Sequence, residues 1–129
     1  MKPLEAEDLV EEALLADTAL QAIVAGRVYR YVAPMAASLP FVVLSIQSAR
    51  DELGVGAAVV LTVYELVVRA VGGIDDLENL QAAADRFDAV LLGGYGQSHQ
   101  IARRAPLTYV SVENNQYYRH LGARYQMEG

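Results

Sequence analysis

Apolar and polar positions along the chain alternate with two different periods, but one segment is apolar almost without a break. That segment, Ala57 to Val71 (AAVVLTVYELVVRAV), is rich in side chains branched at Cβ: Val59, Val60, Thr62, Val63, Val67, Val68 and Val71. Such stiff side chains sit best on a pleated surface. Taken in alternation, Val60, Thr62, Tyr64, Leu66, Val68 and Ala70 form one uncharged face, while Glu65 and Arg69 fall on the other. A strand is therefore predicted, stopped by Gly72 and Gly73. About fifteen residues of strand reach roughly 50 Å, so it must bend or project beyond a small domain.

The other segments fall in order around it. Residues 4–16 predict a helix with Leu4, Leu9, Ala13 and Leu14 near one face and glutamates on the other, a face expected to be solvated. Asp17 reads as the N-cap of a short second helix through Leu20, Ile23 and Val24, with Gly26 as its stop. Residues 27–32 alternate, Val28, Arg30 and Val32 against Arg27, Tyr29 and Tyr31, which predicts a short strand. A loop punctuated by Pro34 and Pro40 follows, then a strand over 41–47 and a polar, glycine-bearing loop over 48–56. That loop and the long strand make a hairpin with a long tip. Asp75 as N-cap with Glu78 in capping-box position opens the main helix, whose stripe is Leu77, Leu80, Ala84, Phe87 and Leu91, with Gln81, Asp85 and Asp88 on its polar side. Gly93 and Gly94 end it, and residues 95–105 read as irregular. Residues 107–113 alternate, Asn114-Asn115 suits a turn, and 117–127 return as a last strand. The order predicts a single α+β domain over residues 1–129: a mainly antiparallel sheet of about five strands with a long β-hairpin, packed by one main helix and N-terminal helices.

Composition narrows the function. The absence of cysteine excludes disulfides and thiolate chemistry. No apolar run reaches the length of a membrane span and the N-terminus is acidic, so synthesis in the cytosol without a signal peptide is expected. An apolar share of 53% fits a well-filled core together with some surface buried against other subunits, since eight tyrosines are more than one small core readily satisfies. Residues 1–25 carry six acids against Lys2, and the rest carries ten acids against nine bases, which together give the net charge of −6. No basic stripe is available to grip nucleic acid, although an acidic protein can lie beside DNA without adhering to it.

A search for chemistry returns little. His99 and His120 lack a second ligand at metal-binding spacing, and Asp75, Asp76 and Glu78 are better explained by capping. The Gly93–Gly96 run follows a helix and has no phosphate-loop lysine, and Ser38, Ser45, Ser48, Ser98 and Ser111 sit in no nucleophile elbow. No enzyme activity, metal or cofactor is therefore expected. Arg103-Arg104 suits a polar rim.

Residues 13–46 carry a resemblance. Asp17, Leu20 and Val24, then Gly26-Arg27-Val28-Tyr29, Pro34 and Leu39-Pro40-Phe41-Val42-Val43 follow the pattern of the tail-terminator (tail-completion) proteins of long-tailed bacteriophages. Tyr118-Arg119 and Arg124-Tyr125 are similar to the closing strand of that family, and the match covers nearly the whole chain. The resemblance implies a virion subunit at the tail–neck junction, assembled in the host cytoplasm into a ring, typically a hexamer. Such a ring caps the tail tube, stops its polymerisation and offers a joining surface to the head–tail connector or neck protein. Its partners are copies of itself, the tail tube protein and the connector. DNA passes through the lumen without specific binding, and no membrane is involved. On this reading the subunit or tube contacts fall on the 27–35 segment (Arg27, Tyr29, Tyr31), the 48–56 tip (Arg50, Asp51, Glu52, Leu53), and Arg103, Arg104 and Tyr117, and part of the acidic 5–12 helix lies near the lumen or neck face. Two alternatives stand beside it. One is a small ligand-binding or enzymatic α+β domain using His99, Arg103, Arg104 and His120, which a pocket enclosing those groups would favour. The other is a nucleic-acid regulator, which the charge balance disfavours.

Overall fold

The long apolar segment is the middle strand of a five-stranded sheet in the computed structural model, which describes residues 2–53, 59–92 and 100–128. The elements are α1 (Pro3–Ala16), α2 (Thr18–Val24), β1 (Val28–Arg30), β2 (Phe41–Leu53), β3 (Val59–Gly73), α3 (Leu77–Leu92), β4 (Gln100–Glu113) and β5 (Gln116–Glu128). Spatial order is β1-β2-β3-β5-β4, antiparallel except that β1 runs parallel to β2. The α+β architecture is the expected one.

The three helices cover one face of the sheet. The core between the layers joins Val10 and Leu14 of α1, Leu20 and Val24 of α2, and Leu80, Ala83, Phe87 and Leu91 of α3 to Val42, Leu44, Tyr64, Leu66, Val68, Ala70, Ala123, Tyr125 and Met127. Tyr64, Leu66, Val68 and Ala70 are thus the inward face of β3, as the alternation predicts. Phe41, Val43, Arg69, Val71, Tyr109, Ser111, Tyr118 and His120 alternate with inward residues and lie on the opposite, open face.

Several boundaries differ from expectation, each for a physical reason. Residues 48–53 are strand, because β2 continues its ladder with β3 past a bulge at Gln47. The tip itself, 54–58, lies outside the described residues. β3 is matched in length by β2, β4 and β5, so only Val59–Thr62 extend past the last β5 partner, Val63. β3 ends at the expected glycine pair but includes it, with Gly72 and Gly73 as its last two residues. A Cβ on Gly72 would come within 2.9 Å of Leu80 Cδ2, so its bareness lets α3 pack close to the sheet. α3 starts at Leu77, and the Asp76 carbonyl, not that of Asp75, accepts the first helical bond from the Leu80 amide. Leu77 is exposed. α2 is capped as expected, with the Leu20 amide donating to Asp17 Oδ2 at 3.0 Å, but the first left-handed residue after it is Ala25, followed by Gly26. β1 stops at Arg30, because Tyr31 turns to positive φ and leaves Val32 in solvent. β4 reaches back through Arg103 and Arg104, with a bulge between Arg103 and Ala105 where an irregular segment is expected. The Asn114-Asn115 turn is present, with both residues at positive φ, as a two-residue hairpin prefers.

Candidate functional site

Four surfaces present candidate side chains: the two hairpin ends, the open face, and the outer edge of β4. The hairpin ends lie at opposite ends of the sheet, because β2 and β4 run in opposite directions. At the β2–β3 end the groups are charged. Thr62 Oγ1 donates to Asp51 Oδ1 at 2.9 Å, Arg50 Nε lies 3.3 Å from Glu52 Oε1, and all three charged residues are exposed. Leu53 is the last residue of β2. At the β4–β5 end the exposed groups are mostly neutral, Val110, Val112 and Tyr117, with the asparagine turn between the strands and the exposed Glu113 as the one acid beside it among the described residues.

The acidic helix is tied down more than a solvated face would be. Arg30 of β1 reaches Asp8 at 2.6 Å and also pairs with Glu11, which fixes α1 to the sheet edge. Arg86 of α3 donates to both Asp17 oxygens, at 2.9 and 2.7 Å, and this guanidinium, more than the cap bond, holds the Asp17 carboxyl below its usual range.

On the open face the loop 31–40 folds over the sheet and leaves a cleft of about 580 Å³. Tyr31, Met35 and Leu39 line the loop side, and Val43, Arg69, Val71, Ser111, Tyr118 and His120 line the sheet side. His120 is buried, with its ring stacked 4.2 Å from Tyr109 at an interplanar angle of 8° and Nε2 at 2.7 Å from Ser111 Oγ. Arg69 Nη1 donates to the Tyr109 hydroxyl at 3.2 Å. Burial, helped by the Arg69 charge, lowers the His120 pKa to about 4. His120 Nδ1 and Arg69 Nε find no partner among the described residues.

A serine–histidine pair at this distance resembles a nucleophile and its base, but the surroundings oppose that use. An imidazole of such low pKa is a weak base at neutral pH. The charge beside it is a cation, where an orienting carboxylate would be needed. The pair acts as a cross-strand link.

The expected contact residues are spread over the molecule. Arg27 Nε donates to the Pro40 carbonyl at 2.9 Å and anchors the 31–40 loop. Tyr29 packs edge-on against Phe41 with ring centroids 5.7 Å apart. Arg103 lies on the helix side, where its Nε is 3.4 Å from Asp88 Oδ1 beside a pocket of about 140 Å³. Asp88, expected on a solvent face, also accepts from Tyr125 Oη at 2.6 Å, and burial first and Asp88 second push the Tyr125 hydroxyl above its ordinary pKa. Arg104 is exposed at the bulge and Tyr117 at the hairpin end. The groups of the ligand-binding alternative are not gathered: His120 lines the open-face cleft, Arg103 lies on the other side of the sheet, and His99 lies outside the described residues. Among the described residues no cluster of three or more metal-ligating side chains occurs. No helix of the described residues is long and apolar enough to cross a membrane.

The cluster of Arg69, Tyr109, Ser111 and His120 is absent from the sequence reading. Its signal was available: a two-residue turn at Asn114-Asn115 pairs Tyr109 with His120 and Ser111 with Tyr118, which sets Ser111 diagonally beside His120.

No protein-family model matches the chain, and no curated protein matches it. Among solved structures, its fold is similar to that of a chain in a virion of a native gene transfer agent particle, with a TM-score of 0.65 and 23% identity over 93% of this chain and 92% of that one. The likeness is one of fold.

Proposed function

We propose that the chain is a structural protein of a phage-like virion. Its copies join head to tail in a ring, a hexamer by the tail-terminator resemblance. The ring caps the tail tube, halts tube polymerisation and presents a joining surface to the head–tail connector, with DNA passing through its centre. The observation that carries this reading is the end-to-end likeness of fold to a chain of a gene transfer agent virion. Two features of the molecule support it. The sheet has chemically different ends, one with three charged residues, Arg50, Asp51 and Glu52, the other mainly apolar at Val110, Val112 and Tyr117 with the single acid Glu113. A cap needs that asymmetry, since one ring face must fit the tube while the other refuses a further tube subunit. Large apolar side chains also remain exposed at Tyr31, Val32, Met35, Val110, Val112 and Tyr117, as expected of surfaces that assembly buries.

Native mass spectrometry of the purified chain, with negative-stain images of particles made without it, tests the reading. A closed ring and overlong tails are expected. A chain that stays monomeric in assembled particles, or tails of normal length in its absence, would refute it.

A further inference from the structure

The two borders of the sheet differ in how they are protected. β1 covers only Val42–Leu44 of β2, and the Tyr31 amide takes the Leu44 carbonyl, so among the described residues the outer edge of β2 is open from Ser45 to Leu53. β4 is the opposite border and, among the described residues, pairs only with β5. An open edge is a template for another strand unless charge, proline or a bulge spoils it. The first half of β4 carries all three, in Arg103, Arg104, Pro106 and the bulge. The second half, Leu107–Val112, has no charge, proline or glycine, and Tyr109, Val110 and Val112 are 41%, 46% and 57% exposed. A run so suited to strand pairing, left bare, needs a partner.

We propose that the partner is the open β2 edge of a second copy of this chain, so that the sheet continues from subunit to subunit. The inference rests on the ring reading and names its interface. Strand direction supports it. β4 runs opposite to β2, so copies set side by side with the same face toward the helices bring β4 against the next β2 in antiparallel order. Joining two different edges of one chain is a heterologous contact, the kind that closes a ring. Charge supports it as well. The antiparallel sense places the Arg103–Arg104 end of β4 at the Asp51–Glu52 end of β2, and Arg104 has no acidic partner among the described residues. Opposite charges across such a ladder fix its direction.

The chain has no cysteine, so disulfide trapping needs no background removal. One cysteine is placed at Ser48 and a second is stepped through Ala102, Arg104, Thr108 and Val110. Under oxidation at least one pair is expected to give a ladder of covalent oligomers that reductant collapses. In parallel, Arg103→Glu with Arg104→Glu is expected to abolish the ring in native mass spectrometry. Adding Asp51→Lys and Glu52→Lys to the same chain is expected to restore it. A wild-type ring with no ladder from any pair and no effect of the charge reversal overturns the edge pairing and leaves the ring reading standing. A wild-type chain that forms no ring overturns both.

Discussion

His120 carries its chemistry in its surroundings. It is enclosed by Tyr109, Ser111 and Arg69 and stays neutral down to a pKa of about 4, whereas in the unfolded chain it titrates near 6.5. Between those values the unfolded state binds a proton that the folded state refuses. Stability contributed by the neutral ring is therefore complete above pH 6.5 and falls as pH drops through the window, by about 1.4 kcal/mol per unit and about 3 kcal/mol in all. Urea denaturation of the wild type is expected to weaken more steeply from pH 6.5 to 4.5 than that of His120→Gln, and equal slopes would contradict the assignment. Gly122 is a steric case. A Cβ there would sit 2.0 Å from the Val68 carbonyl oxygen and 2.7 Å from the Arg69 Cα, both backbone atoms that cannot step aside. Gly122→Ala should cost about 3 kcal/mol or more, read as a lowered denaturation midpoint, and a loss below about 1 kcal/mol would mean that the strands separate easily.

At the scale of elements, legibility followed periodicity. β3 and α3 were readable because their inward faces are unbroken: Tyr64 to Ala70 along the strand, and Leu80, Phe87 and Leu91 along the helix. Their exact ends were not, since Gly72 serves helix packing and Asp76 outdoes Asp75 at the helix start. The polar stretch Ser48–Glu52 was hidden because an outlying ribbon has no buried face to mark it, only a ladder to β3. Arg103 and Arg104 were hidden because charge on an edge strand looks like loop. The open-face cluster depends on register between strands, which no single-segment pattern contains. This division predicts two different mutational outcomes. Phe87→Ala empties a fully buried site under the sheet and should cost about 3–5 kcal/mol. Excising residues 50–55, a segment that includes the exposed Arg50, Asp51 and Glu52, should shift folding stability by only about 1 kcal/mol, while native mass spectrometry is expected to show the ring lost. An unchanged ring would exclude the ribbon from the interface. A loss of several kcal/mol would place it in the core.

For the whole molecule, the proposed ring makes the field that DNA would meet the decisive quantity. A protein grips the duplex by lining up lysines and arginines against phosphates and releasing counterions. Here Arg30, Arg50, Arg86 and Arg103 are each turned toward acidic side chains of the same chain, and the net charge is −6. The other bases are Lys2 before the first helix, Arg27 held to the Pro40 carbonyl, Arg69 half-buried on the open face, Arg104 at the β4 edge, and Arg119 and Arg124 on β5. In the proposed ring such subunits would multiply the negative charge, and a lumen of that sign would repel the phosphates of a passing duplex. A conduit needs this property, because an adhesive wall would stall a moving genome. Fluorescence anisotropy with a labelled duplex at about 0.1 M salt, a regime where surface charges are screened beyond ~10 Å, is therefore expected to stay flat up to micromolar protein. Lowering the salt should not rescue binding, since attraction would have to appear where the summed charge opposes it. An affinity that rises steeply as salt is removed would reveal a phosphate-binding surface and shift the reading from a conduit to a nucleic-acid regulator.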